Sequence, residues 1–156
     1  MRPTLDQTDS PSTTDVAALI ADAAAATDAL FARTALDRRI TLDPGLPRVL
    51  SDHNNLVDIL TRLIASAVQF SVGGRVTIGA AERAANVELW VSDDGAALSA
   101  EAKEEALQTA GKGPAEWRKL IADLGGHLKI EPNTVNGTVI GTTVRLSLPT
   151  TGENNG

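Results

Sequence analysis

The sequence contains no cysteine, and this absence narrows the chemistry that the chain can carry out. Without cysteine there is no disulfide framework, no thiol nucleophile and no cysteine-based zinc site. Aromatic residues make up only 3% of the 156 residues, so the core must be built from leucine, isoleucine, valine and alanine. A chain of this length is expected to form one domain that buries roughly 70% of its unfolded surface, without covalent cross-links.

The chain also lacks an excess of positive charge and a long apolar run. A net charge of −6, with acidic and basic residues interspersed, argues against a nucleic-acid partner. No apolar run reaches the ~18 residues of a membrane span, and the polar N-terminus has no signal-peptide core. We therefore expect a cytoplasmic domain over residues 15–149, with disordered tails at 1–14 and 150–156.

Apolar residues at helical spacing predict several helices. The first runs from about residue 15 to 32, with Thr14 as its N-cap. The second is strongly amphipathic, starts near Asp52 and stops before Gly73. A short helix over about 100–108 and a helix over 114–124 follow, and Gly125 is suited to the left-handed position after the last helix.

Alternating apolar residues predict the strands. They lie in "RRITLDPG", in a hairpin with Val76–Ala80 and Val87–Val91, and on both sides of a turn through Asn136 and Gly137. Helices interspersed with these strands must cover one face of the sheet. The predicted fold is α/β: a two-layer sandwich with a mixed, mostly antiparallel sheet and about three helices on one face.

The second predicted helix ends with Ser66, Ala67, Val68, Gln69 and Phe70, and this segment resembles the asparagine box of sensor histidine kinases. Their ATP-binding catalytic domain belongs to the superfamily that includes gyrase and MutL, and the resemblance implies its Bergerat-type ATPase fold. Active members carry an asparagine where Ser66 stands, which gives a carbonyl oxygen to Mg²⁺. They carry a lysine near phosphate where Gln69 stands.

The segment "VSDDGAAL" resembles the aspartate-glycine box of the same family, in which active members read Asp-x-Gly-x-Gly. Asp93 stands where the family aspartate accepts a hydrogen bond from the adenine amino group, and Gly95 is kept. Ala97 replaces the second glycine. A purely structural role for Asp93, in ordering the loop after a strand, is the alternative.

The segment "TAGKGP" aligns with the second glycine box, whose glycines free backbone N–H groups to cradle phosphate at a helix N-terminus. Gly111 and Gly113 keep two of its three glycines, and Lys112 lies between them; ordinary turn glycines and a solvated lysine are the alternative. In "GTTVRLSLP", Thr143 stands where the family often places a threonine beside the adenine pocket.

These departures predict a site that has kept part of its adenine half and lost most of its metal and phosphate half. We expect no catalytic residue, no metal site and no resident cofactor, with Mg·ATP bound weakly or not at all. Neither His53 nor His127 is followed by the acidic residue and proline of a phosphoacceptor helix. The chain is therefore not expected to act as an autonomous kinase.

The leading hypothesis is a degenerate domain that acts in two-component-type signalling through protein contacts. Its expected partner is a helical dimerisation or phosphotransfer domain, or a response-regulator receiver domain. A homodimer through the apolar first helix is a further expectation. The alternatives are a functional ATP-binding domain that works with a separately supplied phosphoacceptor domain, and an anti-sigma-factor-like regulator.

Overall fold

A five-stranded sheet backed by helices forms the body of the domain. The computed structural model describes residues 13–70, 74–94 and 114–150, with the side chains of residues 70, 114 and 139 excepted. In chain order the elements are β1 Thr13–Thr14, α1 Val16–Ala26, α2 Asp28–Ala32, β2 Asp37–Leu42, β3 Val49–Leu50, α3 His53–Phe70, β4 Arg75–Arg83, β5 Asn86–Asp93, α4 Pro114–Asp123, β6 His127–Val135 and β7 Thr138–Pro149.

The main sheet has the order β2-β4-β5-β7-β6. Only the β2–β4 pair is parallel; the other three pairs are antiparallel. Helix α3 packs on β4 and β5, α4 packs on β6, and α1 packs on α3. The predicted two-layer α/β sandwich with a mixed, mostly antiparallel sheet is thereby confirmed.

Strict alternation on the strands decides which side chains enter the core. On β5, Val87, Leu89 and Val91 are buried, while the residues between them point to the outer face. Trp90 is one of these outward residues and is half-buried, as its position in the alternation predicts. Trp117 of α4 is buried in the core, at 3% exposure.

Helix α3 is the central helix, and its periodic apolar residues are buried as predicted. They are Leu56, Ile59, Leu60, Leu63, Ile64 and Ala67. The helix begins at His53, and Asp52 caps it, because the Asp52 carboxylate accepts a hydrogen bond of 3.0 Å from the Asn54 N–H. It ends at Phe70, before the glycine pair, in agreement with the sequence-based expectation.

The first helix differs from its prediction in three respects. Asp15, not Thr14, is the N-cap, since the Asp15 carboxylate accepts from the N–H groups of Ala17 and Ala18. The predicted single helix is divided at Thr27, whose hydroxyl lies 3.0 Å from the carbonyl oxygen of Ala23. Bonding of a threonine hydroxyl to the preceding turn is known to bend or weaken a helix.

The third difference concerns the apolar face of α1, through which a homodimer was expected. Its residues Val16, Leu19, Ile20, Ala23 and Ala24 are buried in the core of the same chain. Core packing against α3 therefore already uses the apolar face, and the homodimer through the first helix stays a prediction. A homodimer through α1 would have to use the exposed side of the helix.

The structured domain extends slightly beyond the predicted limits. Thr13 and Thr14, assigned to a tail by their composition, form β1, which pairs with β3 in a small separate sheet. At the other end, the Thr150 N–H donates to the carbonyl oxygen of Ala85, at 3.1 Å. Residues 1–12 and 151–156 of the predicted tails, and the predicted helix over 100–108, lie outside the described residues.

Both predicted glycine turns are present. Gly125 follows α4 with φ +90°, and the β6–β7 turn places Asn136 at φ +53° and Gly137 at φ +82°. Within the described residues, no helix has the length and apolar character that a membrane crossing requires.

Candidate functional site

Asp93 is the last residue of β5, and the alternation of that strand turns its side chain toward the helices. The residue is 5% exposed. It is paired with Val76 of β4 on one side and Thr142 of β7 on the other. Asp93 therefore lies at the end of the sheet, on the helix-covered face, where the sequence placed a ligand-binding carboxylate.

Ser66 lies one turn before the end of α3, at the same end of the sandwich as Asp93. The chain passes from the end of α3 at Phe70 into β4 at Arg75, and the Arg75 N–H donates to the Asp94 carboxylate at 3.0 Å. Gly74, at φ +122°, makes this approach possible, because a Cβ there would overlap the Asp94 carboxylate. The start of β4, the element that follows α3 in the chain, is thus tied to the end of β5.

The hydroxyl of Ser66 points into the protein, and none of the described residues hydrogen-bonds to it. Ser66 is 8% exposed, and its Oγ is buried without a hydrogen-bond partner in the described part of the chain. A buried polar group without a partner is rare in folded proteins. The sequence identified Ser66 as a substituted position, but it could not show that its hydroxyl would be buried.

The two neighbouring polar positions on α3 do not supply positive charge to this region. Gln69 is exposed and neutral. Arg62, one turn before Ser66, pairs with Asp58 at 3.3 Å within the helix. The positive charge of Arg62 is therefore already balanced by a neighbouring carboxylate.

The threonine beside Asp93 is Thr142, not Thr143. Thr142 is the cross-strand neighbour of Asp93 and is 1% exposed, and its Oγ1 has no hydrogen-bond partner among the described residues. Thr143 is paired with Ser92 and points to the opposite face of the sheet. The sequence contains a signal for this. Val144 and Leu146 belong to the core, and side chains alternate along a strand, so Thr142 faces the helices with them.

Thr143 belongs instead to a polar network on the outer face. Its hydroxyl lies 2.6 Å from Asn133 Oδ1 and 2.9 Å from Ser92 Oγ. The Asn133 amide N–H group in turn donates to Ser92 Oγ at 3.0 Å. This network holds β5, β6 and β7 together on the side of the sheet away from the helices.

A cavity of about 590 Å³ lies beside this network. Thr77 and Ser92 line it from the outer face, together with Asp37, Arg75, Asp94 and Asn133. Asp93 also borders it, but Ser66 and Gln69 do not. The cavity therefore reaches Asp93 but neither Ser66 nor Thr142, the other two members of the helix-facing group of Ser66, Asp93 and Thr142.

The remaining candidate residues lie outside the described residues. They are Gly95, Gly111, Lys112 and Gly113. The structure thus places Asp93 and Ser66 at the same end of the sandwich, Gln69 on the surface and Thr143 on the other face of the sheet.

The residues of this group do not fit a magnesium ion. Mg²⁺ prefers carboxylate and carbonyl oxygens in octahedral geometry, with bound water. Ser66 offers a neutral hydroxyl in a buried setting, and no group of three or more His, Cys, Asp or Glu residues in the described ranges is arranged to hold a metal. Of the histidines, His53 is engaged by Thr14 and Asp22, and His127 is exposed on edge strand β6.

Solved structures of histidine kinases share this fold. A nucleotide-free catalytic domain of the histidine kinase ThkA aligns with a TM-score of 0.74 and 20% identity, over 93% of this chain and 99% of that chain. ThkA in complex with the response regulator protein TrrA gives a TM-score of 0.72 and 20% identity, over 92% of this chain and 42% of that chain. Full-length ShkA in complex with AMPPNP aligns with a TM-score of 0.72 and 22% identity, over 90% of this chain and 32% of that chain.

These similarities establish the fold of a histidine kinase catalytic domain. At such identities they do not by themselves transfer activity, ligand or partner. No protein-family model matches the sequence, and no curated protein matches it significantly.

Proposed function

We propose that this domain is a degenerate histidine-kinase-type ATP-binding-like module that acts in two-component-type signalling through protein contacts. In this proposal it binds Mg·ATP weakly or not at all and has no kinase activity of its own. The observation that carries the proposal is the pair Ser66 and Gln69. One presents a buried neutral hydroxyl and the other an exposed neutral amide, where active members carry a metal ligand and a lysine.

The binding free energy that would be lost at these two positions supports this proposal. A hydrogen bond to a charged group contributes about 1.5–3 kcal/mol. The loss of two such contacts, at Ser66 and Gln69, weakens binding by about 3–6 kcal/mol if the effects add. That corresponds to a factor on the order of 10² to 10⁴ in affinity.

The kind of partner is suggested by the structural relatives. ThkA, which shares the fold, has been solved in complex with a response regulator, and ShkA as a full-length kinase with AMPPNP. By analogy, we propose a receiver domain or a helical dimerisation or phosphotransfer domain as the partner here.

An NMR titration with ATP, with and without Mg²⁺, tests the nucleotide part of the proposal. We expect amide shifts that saturate only in the millimolar range, or none, and little change when Mg²⁺ is replaced by EDTA. Micromolar saturation that requires Mg²⁺ would overturn the proposal.

One observation favours the alternative of a functional ATP-binding domain that works with a separate phosphoacceptor domain. Asp93 is retained and buried on the helix-facing side of the sheet. This alternative predicts Mg²⁺-dependent ATP binding that Asp93→Asn weakens by about tenfold or more, since the carboxylate is the acceptor for the amino group. Under the leading proposal, wild type and Asp93→Asn both bind Mg·ATP poorly.

A further inference from the structure

The two edge strands of the main sheet differ in how well they are protected against pairing with another strand. β6 forms one edge, and it contains Pro132 and a register irregularity between Asn133 and Thr134. Proline lacks an N–H group and an irregularity bends the edge, so both disfavour a further strand. β2 forms the other edge, contains no proline and keeps a regular register with β4 over Asp37–Leu42. Within the described ranges, β2 is therefore the edge that can accept another strand.

The hydrogen bonds between β2 and β4 show which backbone groups of β2 point to the free edge. The Asp37 N–H donates to the carbonyl oxygen of Gly74 at 2.8 Å, and the Asp43 N–H donates to that of Ala80 at 3.1 Å. In a parallel pair every second residue bonds to the neighbouring strand, so alternate residues from 37 to 43 bond to β4. The residues between them direct their N–H and C=O groups away from β4. They are Arg38, Ile40 and Leu42.

The helix-facing side of β2 has an apolar side chain that the helix layer does not fully cover. Ile40 lies beside the buried Ile78 of β4, yet it is 41% exposed. Leu42, two residues further on the same face, is half-buried. Apolar side chains that lie opposite each other on paired strands stabilise the pair. A strand added to β2 would therefore gain apolar contacts as well as backbone hydrogen bonds.

The sequence of β2 is complementary to itself in one antiparallel register. A two-fold axis perpendicular to the sheet lets only residues of the same face lie opposite one another. When the axis passes beside Thr41, Arg39 of each copy lies opposite Asp43 of the other. Ile40 of each copy then lies opposite Leu42 of the other, and both present free N–H and C=O groups, as a hydrogen-bonded antiparallel pair requires.

Neighbouring registers of the same pairing are disfavoured. With the axis at Ile40, Asp37 lies opposite Asp43, and with the axis at Arg39 two arginines lie opposite each other. Like charges directly opposite one another destabilise a strand pair. With the axis at Leu42, Ile40 lies opposite Pro44, which has no N–H to donate. Charge and hydrogen bonding thus select the register about Thr41.

We infer that two copies of this chain associate through their β2 edges, antiparallel about Thr41, and join two five-stranded sheets into one. This interface is separate from the exposed side of α1 and does not depend on nucleotide binding. Two short strands bury a small area, so the dimer is weak, with a Kd on the order of 10–100 µM. The chain is therefore monomeric at low micromolar concentration.

Sedimentation equilibrium of the full chain, from about 5 µM to about 1 mM, tests this inference. We expect a monomer–dimer equilibrium whose Kd rises severalfold between about 0.05 M and 0.5 M salt, because its two ion pairs are at the surface. A chain that stays monomeric at about 1 mM overturns the inference and leaves the proposed function standing.

Charge exchange tests the register directly. Arg39 and Asp43 are both exposed, so their replacement is not expected to disturb folding, which circular dichroism checks. Arg39→Asp and Asp43→Arg each bring like charges together twice, and each is expected to weaken the dimer about tenfold or more. The double variant Arg39→Asp/Asp43→Arg restores both ion pairs, so its Kd is expected to return to within about threefold of wild type.

A matched control separates this contact from a general effect of net charge. Lys119→Asp changes the net charge as Arg39→Asp does, but at an exposed position of α4, which packs on β6 at the opposite edge of the sheet. It is expected to leave the Kd within about twofold of wild type. A dimer that Lys119→Asp weakens as much as Arg39→Asp, that neither β2 variant weakens, or that the double variant fails to restore overturns the inference.

Discussion

The imidazole Nε2 of His53 lies 2.7 Å from the Asp22 carboxylate, and its Nδ1 bonds to the hydroxyl of Thr14. One side chain at the start of α3 thereby connects α1 and the N-terminal strand β1. Thr14 is 1% exposed, and within the described part of the chain His53 is the residue that bonds to its hydroxyl. The histidine is therefore a structural connection between three elements.

We predict that His53→Ala lowers the free energy of unfolding by about 1–2 kcal/mol, because it leaves the buried Thr14 hydroxyl unsatisfied. The pair with Asp22 is partly exposed and contributes less. Urea denaturation followed by circular dichroism measures the change. His127→Ala, on an exposed position of edge strand β6, serves as the control and is expected to cost less than about 0.5 kcal/mol.

The outer face of the sheet contains a second close relationship, between Gly79 and Trp90. A Cβ built on Gly79 would overlap the indole of Trp90, which lies across it from the neighbouring strand. Gly79→Ala is therefore expected to destabilise the domain by about 1–3 kcal/mol, since the indole must shift. A change in tryptophan fluorescence should accompany the loss.

A double-mutant cycle separates this contact from a general effect of alanine in the strand. In a Trp90→Ala background the same Gly79→Ala change should cost at most about a third as much, because the overlapping ring is gone. Equal costs in the two backgrounds would show that the indole is not the cause.

The N-cap of α1 gives a third prediction. The Asp15 carboxylate accepts hydrogen bonds of 2.9 Å and 3.3 Å from the first free N–H groups of the helix. Asp15→Ala is expected to lower stability by about 1 kcal/mol in thermal or urea unfolding. Asp43→Ala, which removes an exposed carboxylate outside the helices, is the matched control, and a similar loss there would refute the capping role.

The sequence predicted the fold well because its strongest signals are periodic. The apolar positions of α3 repeat over about three turns, from Leu56 to Ala67. Buried and outward residues alternate strictly along β5, so the helix-covered sheet follows from pattern. These signals depend on many residues, and no single position decides them.

Predictions that depended on one residue were less successful. Thr14 and Asp15 are both good capping residues, and in the structure Asp15 caps the helix while the Thr14 side chain bonds to His53. Thr142 and Thr143 are chemically identical neighbours, and a shift of one position moves the side chain to the other face. The division of the first helix at Thr27 had no signal as strong as proline or glycine.

The motifs predict at which end of the fold the candidate residues lie, but not how their side chains are arranged. The motifs placed Asp93 and Ser66 at equivalent positions of a known site, and the structure puts both at the same end of the sandwich. Whether the Ser66 hydroxyl is buried and unsatisfied depends on tertiary packing around it, which a local motif does not contain.

The most direct test of the central claim is a calorimetric titration of Mg·ATP into the wild-type domain and into the double variant Ser66→Asn/Gln69→Lys. If Ser66 and Gln69 account for the proposed weak binding of metal and phosphate, the wild type binds Mg·ATP with a Kd in the millimolar range or gives no heat of binding. The double variant then gains about tenfold or more in a Mg²⁺-dependent manner. Micromolar, Mg²⁺-dependent binding by the wild type would contradict the account.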